Sequence, residues 1–352
     1  MKRIVFLAGL LLTMMACNED DTFESNNVTE VKLNSDNVEL AFPNQSGQLK
    51  RGFYEGRRVA YEVIDGEYVL GGDIILPKES VYDSMEDFLQ NQPRTSNRVK
   101  SAGLKTNRWP DNTVYYKIDE NLPKSYRVTD AIAHWEEKTN LVFKEKQTST
   151  DNYIYFTIGK GCSSLLGMRG GMQKIWLASG CTTGNVIHEI GHAIGLFHEH
   201  AKADRDDDIV IMEENIREGF KHNFETYVER GREGEDYTEG VDFGSVMMYS
   251  SYAFSKKDEN GEKLPTILKK ENGELHTFRK QGKGLSEKDI EGINKMYPIN
   301  TSNTFNNSYV VGNWYYVNGI YVEYLGDNVF GLWWWQTYYK LKLIDGGWQQ
   351  IA

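Results

Sequence analysis

Basic charge, cysteine and long apolar runs are all scarce in this chain of 352 residues. Its 40 lysines and arginines stand against 51 aspartates and glutamates, a net charge of -11. Neutralising phosphates takes an excess of base, so nucleic acid is argued against as a partner. There are only three cysteines, and none lies between Cys17 and Cys162, so no thiolate ligand can come from that stretch. Besides the short run at residues 4–16, no stretch approaches the length and apolarity needed to cross a bilayer. What is present reads as globular: 39% hydrophobic, 12% aromatic and 26% charged residues. The length is more than one core usually needs, so two or more folded units are expected.

Four of the seven histidines fall between His188 and His200, in a stretch of the form H-E-x-x-H-x-x-G-x-x-H. Residues four apart share a helix face, so His188 and His192 can aim two imidazole nitrogens at one metal ion. Glu189 then sits beside that ion rather than on it. Gly195 permits the left-handed turn that stops a helix, which brings His198 back as a third nitrogen ligand. Three protein ligands leave a zinc position open, the mark of a catalytic site. A bare H-E-x-x-H arises by chance on amphipathic helices; the extension through Gly195 and His198 makes this one specific.

At the amino terminus, Lys2 and Arg3 precede the apolar run, and Cys17 follows it. This is an export signal, too short to be a comfortable permanent span. Met14-Met15-Ala16-Cys17 resembles a bacterial lipobox, which implies cleavage before Cys17 and lipidation there; an ordinary secretory peptide is the alternative. Asn18-Glu19-Asp20-Asp21 reads as a solvated tether, similar to the surface-export signal of some Gram-negative lipoproteins. The chain is therefore expected outside the cytoplasm, at a bacterial outer membrane or cell surface or secreted after processing. Lipid would be its only membrane contact. Cys162 and Cys181 close a short loop, and in an exported protein such a pair is expected to be bridged; buried free thiols are the alternative.

Residues 22–100 are polar and mixed, with a short helix expected over 80–92. Leu70-Gly71-Gly72-Asp73 alone reads as a hairpin turn with a solvated carboxylate. Residues 92–105 lack an apolar period and form an exposed linker, in which Arg94, Arg98, Lys100 and Lys105 suit a trypsin-like processing enzyme. Beyond Arg108-Trp109-Pro110, strands are expected over 114–118, 153–158 and 174–178, and a helix over 128–138. With the metal helix following them, these give a mixed α/β (α+β) fold with helices on a twisted mixed sheet.

Downstream, Ser245-Val246-Met247-Met248-Tyr249 looks like a Met-turn, with Met247 as the hydrophobic floor below the metal. With this stretch, Arg108-Trp109-Pro110, the Gly161-Cys162 to Gly180-Cys181 segment, Asp204-Arg205-Asp206, Leu285-Ser286, Asp289-Ile290 and Tyr297, residues 105–298 resemble the astacin family of metzincin endopeptidases. The resemblance implies zinc as the native metal, a Cys162–Cys181 disulfide, and Tyr249 as a fifth, switchable ligand. It also implies that Asp73 is a zymogen switch binding zinc in place of water, although Leu70 stands where the family motif has Phe. Glu199 would take the packing role of anchoring the new amino terminus, unless it is an ordinary helix-flanking carboxylate. Protein or peptide substrates, hydrolysis of internal peptide bonds with Glu189 as general base, and latency relieved by cleavage near Arg98 or Lys100 follow from the same likeness. The family's second disulfide has no cysteines here, and Met248 stands where histidine is frequent.

The expected units are a signal peptide over 1–17, a pro-segment over 18–100, a catalytic domain over 101–298 and a linker with a small module over 299–352. That module is dense in aromatics, including Trp333-Trp334-Trp335, and is expected to form short strands. Its aromatics either build its own core or bind carbohydrate or protein. Arg279, Lys280 and Lys283 could place positive charge near the subsites after the scissile bond. A surface binding protein that uses the metzincin domain as a scaffold is the competing reading, and no residue favours it.

Overall fold

The computed structural model describes residues 39–43, 45–91, 108–230, 236–279, 282 and 284–299, and five strands within 314–351. Cys17, Arg94, Arg98, Lys100, Lys105, Lys280 and Lys283 lie outside the described residues.

The N-terminal part is richer in strands than its polar composition suggests. It holds β1 (Gln48–Tyr54), β2 (Arg57–Ile64), β3 (Glu67–Leu70), β4 (Ile74–Leu76) and β5 (Val81–Tyr82). Two-residue loops connect the first three, Glu55-Gly56 and Asp65-Gly66, with positive φ at each residue as a tight hairpin of twisted strands requires. The helix expected over 80–92 shortens to α1 (Met85–Gln90). Lys78–Ser80 form a tight turn behind Pro77, and Val81–Tyr82 pair with β1, so coiling starts only where Ser84 caps the Asp87 amide at 3.0 Å.

Of the next elements, the strands expected over 114–118, 153–158 and 174–178 and the helix expected over 128–138 form within two residues of those bounds, and residues 142–145 and 162–164 add two strands that no sequence pattern announced. In order, these elements are β6 (Thr113–Ile118), α2 (Tyr126–Lys138), β7 (Val142–Glu145), β8 (Tyr153–Ile158), β9 (Cys162–Ser164), β10 (Met172–Leu177) and α3 (Thr183–Ile194). A second sheet holds β11 (Ile209–Ile211), β12 (Ile267–Glu271) and β13 (Glu274–His276), and α4 (Glu287–Met296) follows. The C-terminal strands β14 (Trp314–Val317), β15 (Ile320–Gly326), β16 (Val329–Trp334), β17 (Thr337–Ile344) and β18 (Gly347–Ile351) pair antiparallel in sequence order, with Val322 and Phe330 buried. The expected small β module is thus a five-stranded meander.

One ten-stranded mixed sheet runs in the order β5-β1-β2-β3-β4-β9-β10-β8-β6-β7. It joins the N-terminal strands to the rest through a short parallel pairing of β4 with β9, Ile74 opposite Ser164. Burial of Val128, Ala131, Ile132 and Trp135 on one side of α2 supplies the contact face the 3.6 period calls for. α2 and α3 pack together in the same core cluster, and Trp135, fully buried, donates from Nε1 to the Ile187 carbonyl at 3.2 Å. Cys162 and Cys181 are bridged, which ties β9 to the loop that opens α3.

Candidate metal centre

The metal helix is fixed at both ends. Thr182 accepts from the Asn185 amide while the Asn185 side chain accepts from the Thr182 amide, a reciprocal cap. At the other end Gly195 adopts φ 113, and its N–H reaches the Gly191 and His192 carbonyls. The last carbonyls of a helix have no partner inside it. Here Trp109 Nε1 donates to Ala193 at 3.0 Å and the Tyr297 hydroxyl donates to Ile194 at 2.7 Å. Two side chains far apart in sequence therefore complete the helix at the point where the chain must turn back.

That turn brings the three histidines together. Among the described residues, Asp73, His188, His192 and His198 each offer one ligand atom within 4.8 Å of the others, all buried. His188 Nδ1 lies 2.8 Å from the Val246 carbonyl and His192 Nδ1 lies 2.8 Å from that of Leu196. A carbonyl only accepts, so Nδ1–H donates in both rings and each Nε2 is the atom turned to the site. Burial pushes the His198 ring down to about 3, which favours its neutral form. His192 Nε2 is buried without a hydrogen-bond partner, the signature of a donor set awaiting a cation. Three imidazoles with an aspartate oxygen suit zinc. The residues fit the metal.

The floor is built from the downstream turn. Val246 N–H donates to Asp289 Oδ2 at 2.9 Å and Ser245 Oγ to Asp289 Oδ1 at 2.6 Å, so α4 holds the turn. Met247 Sδ lies 2.7 Å from where a Cβ on Gly191 would stand, so glycine alone lets the sulfur rise between the two ligand-bearing turns of α3. Glu199 N–H donates to the Met247 carbonyl at 3.0 Å, which couples the floor to the third histidine. Met248, where histidine is frequent in the family, is fully buried in a separate cluster with Tyr249 and Phe254.

Asp73 follows the left-handed Gly71 and Gly72 between β3 and β4, and its side chain is fully buried rather than solvated. Its Oδ2 lies 3.2 Å from His188 Nε2 and 3.1 Å from His198 Nε2, and its Oδ1 lies 3.5 Å from His192 Nε2. Tyr249 stacks on His200, and its hydroxyl donates to the Gly71 carbonyl. Burial first, and Asp73 second, push that phenol well above its ordinary value, so it remains a donor. Glu189 has no exposed surface and groups with Glu39, Asp73 and His188. Glu199 lines a separate cavity of about 90 Å³ with Lys202, Asp236, Asp242 and Asp289; burial pushes its carboxyl up to about 7. Arg279 is exposed.

Glu39 and Asn185 are the residues that sequence reading missed. Glu39 Oε2 stands 2.9 Å from His188 Nε2, and Asn185 Nδ2 donates to Glu39 Oε1 at 2.6 Å. No periodicity or motif marks Glu39, because tertiary pairing alone brings it there.

These features define a metal-dependent hydrolase centre of the metzincin kind, and comparison with known proteins makes the assignment narrower. The family model of the astacin peptidases matches residues 102–298. The chain is 35% identical over 201 residues to astacin-like metalloprotease toxin 1 of Loxosceles intermedia, covering 54% of this chain and 73% of that protein. It is 34% identical over 235 residues to blastula protease 10 of Paracentrotus lividus, covering 64% of this chain but only 38% of that one. Among solved structures it is similar to high choriolytic enzyme 1, a hatching enzyme zinc-protease from Oryzias latipes, at 24% identity and a TM-score of 0.47, over 59% of this chain and 98% of that chain. The chain belongs to the astacin family. It is a zinc metalloendopeptidase by class, with protein or peptide substrates.

Proposed function

We propose that the chain is made as a latent endopeptidase, in which residues 18–100 act as a pro-segment and Asp73 closes the zinc site until that segment is removed. The observation that carries this reading is the placement of both Asp73 oxygens within 3.5 Å of the three histidine Nε2 atoms. An anion held there takes the position a substrate carbonyl or water would need. The Tyr249 hydroxyl, engaged by the Gly71 carbonyl, is withheld from substrate by the same turn.

With the segment gone, His188, His192 and His198 would hold the zinc, which would supply Lewis acidity for the scissile carbonyl and the attacking water. Glu189 takes the proton of the attacking water on a carboxylate oxygen and delivers it to the leaving amine. Tyr249, a protonated phenol, swings toward the cleft and donates to the developing oxyanion. The cavity beside Glu199 supports its role as the anchor of a newly cut amino terminus, since it is lined by carboxylates and has room for a small ammonium group.

The test is peptidase activity of the full chain before and after limited trypsin, with zinc quantified in both. Activity is expected only after cleavage near Arg98 or Lys100, with zinc present throughout. Asp73→Ala should be active without cleavage; a silent Asp73→Ala chain that becomes active on cleavage would count against the switch.

A further inference from the structure

The N-terminal part meets the catalytic part through an apolar contact beside the metal centre as well as through Asp73. The Cys162 N–H donates to the Leu40 carbonyl at 3.1 Å, and the Ala41 N–H donates to the Gly72 carbonyl at 2.8 Å. Leu40 is thereby held between β9 and the turn that carries Asp73. A Cβ on Gly72 would stand 2.9 Å from Leu40 Cδ2 and 3.1 Å from Phe254 Cζ, so both side chains close on the same glycine. Leu40 packs on the cluster that holds Phe254, Phe224 and Tyr249. Gly72 directly precedes Asp73, whose oxygens lie at the three histidines. The edge of Phe254 is therefore within about two residues of the place where a scissile bond must lie.

The backbone of Phe254 is strained. Its φ is 50, a left-handed conformation that a bulky residue keeps only where its surroundings impose it. Here Phe220 stacks on the ring at 5.0 Å, Phe224 meets it edge-on at 6.1 Å, and Tyr249 lies at 5.9 Å. Backbone on either side is pinned as well. Thr266 Oγ1 donates to the Ala253 carbonyl at 2.8 Å, and the Arg217 N–H donates to the Phe254 carbonyl at 2.9 Å. Aromatic neighbours thus fix the ring, while Leu40 and Gly72 of the N-terminal part cover its remaining edge. Removal of that part uncovers a rigid apolar surface next to a hydrolytic centre, and a preorganised surface costs a bound peptide little further ordering.

We infer that Phe254 is the floor of a specificity subsite, filled by Leu40 in the latent chain and by an aliphatic or aromatic side chain of the substrate in the mature enzyme. The inference rests on the reading of residues 18–100 as a removable pro-segment. A leucine-sized side chain beside the scissile bond, or one residue removed from it, takes the place that Leu40 leaves. A serine or aspartate there meets only carbon on that floor, and its desolvation is uncompensated.

The test gives a peptide library to the enzyme after its N-terminal segment has been cut and separated, and reads the residues around each cut by mass spectrometry. Leucine, isoleucine or phenylalanine should dominate one position beside the cut or one removed from it. A peptide pair that differs only there, leucine against serine, should differ in kcat/KM on the order of 10–100-fold. Phe254→Leu should shrink that ratio, whereas a purely structural loss would slow both peptides alike and leave the ratio as it is. Leu40→Ser approaches the subsite from the other side, since Leu40 leaves with the segment and the mature enzyme is then the wild type. Uncut, the Leu40→Ser chain should show residual activity on the order of tenfold above the uncut wild type. A library without apolar preference, or a ratio untouched by Phe254→Leu, would overturn the subsite and leave latency standing. An uncut Leu40→Ser chain as silent as the wild type would overturn the placement of Leu40. An uncut wild-type chain as active as the cut one would overturn the latent reading, and the filling of the subsite by Leu40 with it.

Discussion

Glu189 and His222 are both buried polar residues, and their consequences differ. Glu189, fully buried, groups with His188, which the paired Nδ1 proton orients for the metal. Glu189→Gln, tested after removal of the N-terminal segment, should keep its zinc by elemental analysis while turnover falls about 10²–10⁴-fold. Wild-type turnover would remove Glu189 from the role of general base. His222 lies in the turn before Phe224, and burial first, then Arg230, pushes it down from 6.5 to about 4. An unfolded chain binds that proton below about pH 6.5 while the folded chain does not until about pH 4, so stability from this group is lost as pH falls through that window. At about pH 5 the loss should be about 2 kcal/mol relative to neutral pH. Denaturant titrations should show it in the wild type and not in His222→Gln; parallel pH profiles would exclude it.

Elements place these residues, and one bond at the end of α3 shows how. The Tyr297 hydroxyl is buried and donates to the Ile194 carbonyl at 2.7 Å, one residue before the turn of Gly195. Tyr297→Phe strands that carbonyl and should lower stability by about 1–3 kcal/mol in denaturant titration, with the chelator rate rising as His198 loosens. No change in either would mean that Trp109 alone secures the helix end. The helix itself was legible from sequence because its period, its glycine stop and its ligand spacing are local. The Met-turn was legible as a motif, but not the reason for Gly191, which needs the sulfur of Met247 to be seen beside it. Glu39 and the strands β1 to β5 were not legible. Their polar, weakly alternating sequence becomes ordered only through pairing across the sheet, and Glu39 is positioned by bonds to Gly72 and Cys162 through its neighbours.

At the scale of the whole molecule, the N-terminal strands and the catalytic strands share one sheet rather than lying in separate layers. The join is short at β4 and β9, but it is reinforced by the backbone hydrogen bonds from the Cys162 N–H to the Leu40 carbonyl and from the Ser164 N–H to the Asp73 carbonyl at 3.0 Å, and by the Tyr249 contact with Gly71. None of these contacts involves residues 92–107, where processing is proposed.

A cut between Asn91 and Arg108 therefore severs the covalent link and leaves every one of those bonds intact. Loss of the tether turns an intramolecular inhibitor into one present only at the molar concentration of the protein itself. Nicked enzyme should then gain activity per molecule as it is diluted, and lose it again when the isolated segment is added back. Specific activity that is flat with concentration would mean that the severed segment departs on its own. On this view the cut only makes release possible, and mass action decides when the protease is on.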